Sequence, residues 1–201
     1  MMAPRRRPCD GRFLVSRVLF ITHPEVEVDP ATPVPDWELT ERGRDQMRQF
    51  AEGPEPREVR AVWSSRERKA VDAAAILAGQ LGVEVRKLEQ LAENERTSTG
   101  YLPPELFEPA VQAFFGEPLL SHRGWETAAA AQQRIADALE TVLARSPDGD
   151  VAIVSHGGVG TLLLCRLKGA PIHRAEDQPG QGHWFAFHRD TRAVEHGWQP
   201  L

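Results

Sequence analysis

Only two cysteines, Cys9 and Cys165, occur in the 201 residues. Two cysteines build neither a disulfide framework nor a cysteine-rich zinc site. His122, His173, His188 and His196 fall at no metal-ligand spacing. Long apolar runs are missing too, and none approaches the roughly 18 residues of a membrane helix. The stretch Phe13–Ile21 has the look of a signal-peptide core. Arg17 interrupts it, however, and no small-residue cleavage site follows, so it reads as a buried strand. A basic surplus is also lacking. The net charge is −5, and residues 1–16 hold a local +3, so the remainder carries −8. That balance argues against a nucleic-acid partner. Internal repeats and low-complexity blocks are absent. What these absences leave is a globule of ordinary balance, 41% hydrophobic and 26% charged, with a cytoplasmic location as the default. The length suits one domain whose core needs no metal or disulfide staple.

The regular elements alternate. Residues 1–16 read as a loose leader, and residues 17–201 as a single domain. Arg17–Thr22 is a short apolar run rich in β-formers. Pro24, Pro30, Pro33 and Pro35 then hold the chain extended. Thr40 begins a helix with apolar positions at three- and four-residue spacing, and Gly53-Pro54 ends it. Arg60–Trp63 is a second strand, stopping at Ser64-Ser65. An alanine- and leucine-lined helix from Ala70 closes at Gly82. Val83–Arg86 is a third strand. Residues 88–123, rich in proline and containing one short helix, form a lid-like insert. A long helix with Trp125, Ala136 and Leu143 on one face follows. Asp150–Val154 has the compact apolar character of a central parallel strand, and Gly157-Gly158 opens a helix through Leu167. Trp184–His188 and Arg192–His196 suit a closing antiparallel pair. The pattern predicts an α/β fold, a three-layer α/β/α sandwich with a mostly parallel sheet and an antiparallel edge.

In such sheets ligands bind beyond the carboxyl ends of the strands. Three predicted strand ends carry polar clusters: Thr22-His23, Ser64-Ser65 and Ser155-His156-Gly157-Gly158. The fold therefore brings two histidines, 133 positions apart, to one rim. His183 follows a Gly180-Gln-Gly182 turn and is a further candidate for that rim.

Several pieces in order now carry a resemblance. They are Ile21-Thr22-His23-Pro24-Glu25, Leu39-Thr40-Glu41-Arg42-Gly43, Val62-Trp63-Ser64-Ser65 with Lys69-Ala70, Leu91-Ala92-Glu93, and Val154-Ser155-His156-Gly157-Gly158. Together they resemble the histidine phosphatase (phosphoglycerate-mutase-like) superfamily from about residue 17 onward. The resemblance implies a phosphohydrolase that works without metal or other cofactor on a small phosphorylated metabolite or a phosphoprotein. His23 would attack phosphorus as a neutral imidazole. His156, a cation and backbone amides would hold the phosphoryl oxygens. Gly157 and Gly158 begin a helix, whose free N–H groups favour an anion. Glu93, with Glu95 as the alternative, would be the proton donor and acceptor.

This chain departs from the family pattern in the phosphate pocket. Thr22-His23-Pro24 stands where the family usually has Arg-His-Gly, and Lys69 stands at the family's second arginine. Threonine gives one neutral hydrogen bond where arginine gives a charge-assisted fork. Arg66, Arg68 and Arg96 are candidates to restore the charge, and Ser64, Thr22 and Arg96 are candidate phosphate contacts. The departures leave a second reading of the same fold, a catalytically impaired module that binds phosphate or carboxylate. A phosphomutase ranks last, because the short insert gives no positive sign of one.

Overall fold

The computed structural model describes residues 16–201. The expected leader therefore lies, but for Ser16, outside the described residues, as does Cys9. Six strands form one sheet: β1 (Arg17–Thr22), β2 (Val59–Ser64), β3 (Val85–Lys87), β4 (Asp150–Ser155), β5 (His183–His188) and β6 (Val194–Pro200). Their order is β3-β2-β4-β1-β5-β6. β3, β2, β4 and β1 pair in parallel, and β5 pairs antiparallel with both β1 and β6. Helices α1 (Glu41–Glu52) and α2 (Arg68–Leu81) cover one face. Helices α3 (Pro104–Gly116), α4 (Ala128–Arg145) and α5 (Gly157–Leu167) cover the other. Among the described residues no helix is long and apolar enough to cross a membrane.

Strand alternation builds the two layers. Val18 and Phe20 enter one core while Leu19 and Ile21 enter the other. Val151 and Ile153 divide from Ala152 and Val154 in the same way. The period of two thus sends successive side chains to opposite faces. Both faces are covered, so these strands read as continuous apolar runs rather than as alternating ones.

Several boundaries differ from the expected ones, most by one or two residues and three for reasons visible in the fold. The long helix starts at Ala128, not near Trp125, because the Thr127 hydroxyl accepts from the Ala130 amide and caps it there. Trp125 instead enters the core from the preceding loop, and its indole N–H donates to Thr99 at 2.9 Å. The third strand is Val85–Lys87, set by its pairing with Val62–Ser64. The last strand runs on to Pro200 because its register with β5 extends to His183.

Close packing at Gly43 positions the loop that follows β1. Thr40 caps α1, and its amide donates to the Glu25 carbonyl at 3.0 Å. A Cβ at Gly43 would lie 2.3 Å from that same backbone oxygen. Gly43→Ala should therefore lower stability by about 1–3 kcal/mol through overpacking against backbone. Gly79, inside α2 with open space around its Cα, supplies the opposite sign. There Gly79→Ala should raise stability by about 0.5–1 kcal/mol. Urea midpoints at unchanged m-value test both changes.

Candidate active site

β1 and β4 pair in parallel with Thr22 opposite Ser155. The His23 amide extends the ladder to the Ser155 carbonyl at 3.1 Å. His23 and His156 thus leave the sheet side by side, with ring centroids 5.4 Å apart at 63°. Nδ1 of His23 lies 2.9 Å from the Pro24 carbonyl oxygen. A carbonyl only accepts, so Nδ1 carries the proton and Nε2 keeps its lone pair. Proline here forfeits an N–H but retains the acceptor that fixes the ring. Confinement in the cleft, helped by the Lys69 charge, lowers the His23 pKa to about 4. The ring is therefore neutral at neutral pH.

His156 stands immediately before α5, makes no side-chain capping bond and is fully buried. Its Nε2 lies 2.8 Å from the Ser65 hydroxyl and 3.2 Å from Oε1 of Glu67. The carboxylate assigns the proton to Nε2, and Nδ1 is left buried without a partner. Burial drives this pKa down to about 3 against the pull of Glu67.

Glu93 sits on the N-terminus of α5. Its carboxylate accepts from the Gly158 amide at 3.1 Å, the Val159 amide at 3.0 Å and the Asn94 amide at 3.1 Å. The free N–H groups of the helix thus hold a carboxylate from the chain itself. This corrects the expectation that Gly158 presents its amide to phosphate, while the Gly157 amide is not engaged by Glu93. The glycines serve close approach instead. A Cβ at Gly158 would lie 2.7 Å from Glu93, and one at Gly157 would lie 2.3 Å from Gln178. Burial raises the Glu93 pKa, with Arg96 opposing and Glu67 reinforcing the shift. Arg134 on α4 fixes the loop from below. It donates to the carbonyls of Gln90, Ala92 and Glu93 at 2.9–3.1 Å, while Glu126 holds its guanidinium.

A cavity of about 940 Å³ opens beside the histidines, lined by Lys69, Arg96 and Glu93 among others. The loop from Pro30 to Asp36 and Tyr101 of the insert form its farther wall. The Arg96 guanidinium rests 4.9 Å from the Phe107 ring centre and 5.9 Å from that of Trp125. Lys69 is buried, and its ammonium donates to Oε2 of Glu67 at 2.5 Å and to the Val34 carbonyl at 2.8 Å.

Three expected phosphate contacts stand elsewhere. The buried Thr22 hydroxyl donates to Gln178 at 2.7 Å and accepts from the His183 amide at 3.1 Å, serving the sheet edge. The Ser64 hydroxyl donates to the Ser65 carbonyl at 2.9 Å. The His183 ring lies beside the Gln181 carbonyl. None of the three lines the cavity.

Glu67 escaped the sequence reading. It lies in the run Arg66-Glu67-Arg68-Lys69, which looks like a solvated helix start. In the fold its carboxylate receives Lys69, His156 and the Glu93 amide at 2.9 Å. Burial opposes its ionisation, but His156, Lys69 and that amide outweigh burial and bring its pKa to about 2. The only signal in the sequence was an acid two residues past Ser65.

A family model described as histidine phosphatase superfamily (branch 1) matches residues 18–194. A search of curated proteins by sequence returned no match. Solved structures do resemble the chain. A mycobacterial glucosyl-3-phosphoglycerate phosphatase in complex with inorganic phosphate superposes with TM-score 0.74 at 23% identity, covering 92% of this chain and 94% of that one. YhfR of Bacillus stearothermophilus gives 0.74 at 21%, covering 90% and 94%. The alpha-ribazole phosphatase of Shigella flexneri gives 0.70 at 20%, covering 92% and 95%. At these identities the likeness establishes the fold.

The buried charges set a pH dependence of stability. Both histidines have folded pKa values below the ordinary 6.5, so the unfolded chain binds more protons as the medium acidifies. Their contribution is complete above pH 6.5 and is lost as pH falls toward about 4 and 3, respectively. The Glu67 contribution is lost only below its ordinary 4.5, toward about 2. Glu93, shifted upward, acts in the opposite sense and costs stability as pH rises through its folded value. Melting temperature should therefore fall as the pH is lowered from 6.5 to 4.5, with Glu93 offsetting part of the two histidines' loss, and His23→Asn should make that fall clearly shallower.

Proposed function

Because the chain belongs to the histidine phosphatase superfamily, we propose that it is a phosphohydrolase that passes the phosphoryl group through His23. The observation that carries this reading is the Nδ1–H donated by His23 to the Pro24 carbonyl, beside the buried His156 and an open cavity. Nε2 of His23 attacks phosphorus and the ester P–O bond breaks. Glu93, whose raised pKa favours a protonated carboxyl, delivers its proton to the leaving oxygen. The resulting carboxylate then takes a proton from water as the water attacks phosphorus and breaks the P–N bond. Inorganic phosphate leaves, and both groups return to their starting state. Arg96 supplies positive charge from its aromatic seat, and His156 and Lys69 border the phosphoryl position. Arg96 is thus the candidate to replace the arginine missing before His23. The cavity has room for an organic body beyond the phosphate, which accommodates a small metabolite or the side chain of a phosphoprotein. The mycobacterial relative was solved with inorganic phosphate, which supports an oxyanion ligand here.

One observation favours the second reading, an impaired oxyanion-binding module. Glu67 already holds Lys69 and His156. Rapid-quench labelling with a phosphate ester decides between the two. An acid-labile phosphoenzyme should form between pH 5 and 8, and His23→Ala should abolish it. Glu93→Gln should slow turnover by about 10²–10⁴-fold, while Glu95→Gln stays within a few fold of the parent. Anion binding with no label at any pH in that range would select the binding module.

A further inference from the structure

Positive charge in the cavity is almost wholly spent. Lys69 pairs with Glu67 and Arg134 with Glu126 at 2.7 Å, while Arg66, 68% exposed, stands 3.9 Å from Glu89 where solvent screens both charges. The N-terminus of α5 is occupied by Glu93. Among the described residues lining the cavity, Arg96 alone is a cation without an acidic partner. Glu67 cannot easily be displaced. Its side chain is 11% exposed and that of Lys69 is 5% exposed. Oε1 of Glu67 accepts from the Glu93 amide and lies 3.2 Å from Nε2 of His156, and Oε2 accepts from Lys69. The carboxylate bridges the same lysine and histidine that border the phosphoryl position.

We propose that Glu67 is a charge-selectivity residue, and that the site is matched to a tetrahedral oxyanion bearing one negative charge rather than two. One unpaired guanidinium balances one charge. A second charge would face the Glu67 carboxylate across a few ångströms with water largely excluded, where like charges repel far more than in bulk solvent. The substrate class this assigns is a phosphate monoester bound in its singly protonated, monoanionic form. The inference rests on the preceding functional reading only in taking the cavity as the phosphoryl site.

Sulfate and methyl sulfate test it, because they share tetrahedral shape and differ by one charge at every pH from 5 to 8. Titration calorimetry on the full chain at pH 7.5 should show the parent binding methyl sulfate at least as tightly as sulfate. Glu67→Gln keeps one acceptor, for the Glu93 amide, and removes the charge, with its amide N–H2 placed toward Lys69. It should improve sulfate affinity relative to methyl sulfate by tenfold or more. A parent that prefers sulfate by tenfold overturns the proposal without recourse to any variant. So does a Glu67→Gln protein in which both anions weaken together, the sign of a carboxylate that merely positions Lys69. If neither anion binds the parent or the variant while His23 still labels, the charge filter falls and the phosphohydrolase reading stands. If neither binds and no label forms, both fall.

Discussion

Parallel pairing of β1 with β4, in the register that sets Thr22 opposite Ser155, is the constraint on which the rest of the molecule depends. A slip of one residue would send every side chain of β1 to the other face and exchange its two sets of core contacts. It would also separate the imidazoles, whose approach comes from strand ends that finish level. The register is held by two apolar layers with different shapes. Phe20 stacks on Phe185 at 5.1 Å on one side, while Leu19 and Ile21 meet the α1–α2 layer on the other. The core thereby determines where the chemistry stands, and no loop has to fold over to bring the two rings together.

The second organising feature is internal neutralisation. An anion site in this type of sheet draws on a helix terminus and on basic side chains at the strand ends. Here Glu93 takes the helix terminus and Glu67 takes the buried lysine. Both carboxylates are ordered by backbone amides as well as by charge, so neither is a loose surface pair. The pKa shifts record the difference between them. Glu67, facing a lysine, is driven down, and Glu93, in a drier position, is driven up. Two acids a short distance apart are thereby pushed in opposite directions.

Much of this was legible in the residues. The runs Arg17–Thr22 and Asp150–Val154 announced buried strands because both faces demand apolar side chains. Thr40 and Gly82 marked helix ends through local hydrogen bonding and backbone geometry, which depend on few neighbours. The two histidines followed from strand ends and the parallel order. Glu67 did not, because a charge run looks the same whether it meets water or folds over a cavity. The Glu93 amide of the 88–123 segment, with Lys69 and His156, surrounds the Glu67 carboxylate in the fold. Thr22 misled for a related reason. A hydroxyl at a strand end can face the crevice or the neighbouring strand, and the antiparallel partner β5 claimed it.

The seat of Arg96 joins two parts of the molecule that are usually treated apart. Phe107 and Trp125, the plates beneath its guanidinium, belong to or pack against the large apolar layer that also contains Phe114 and Ile135. The insert is therefore anchored from behind, and its charged tip inherits the rigidity of that anchor. Altered packing far from the cleft, beneath α3, would surface as a misplaced electric field rather than as a loose loop. An insert transplanted without Trp125 would carry its arginine along but leave the aim behind.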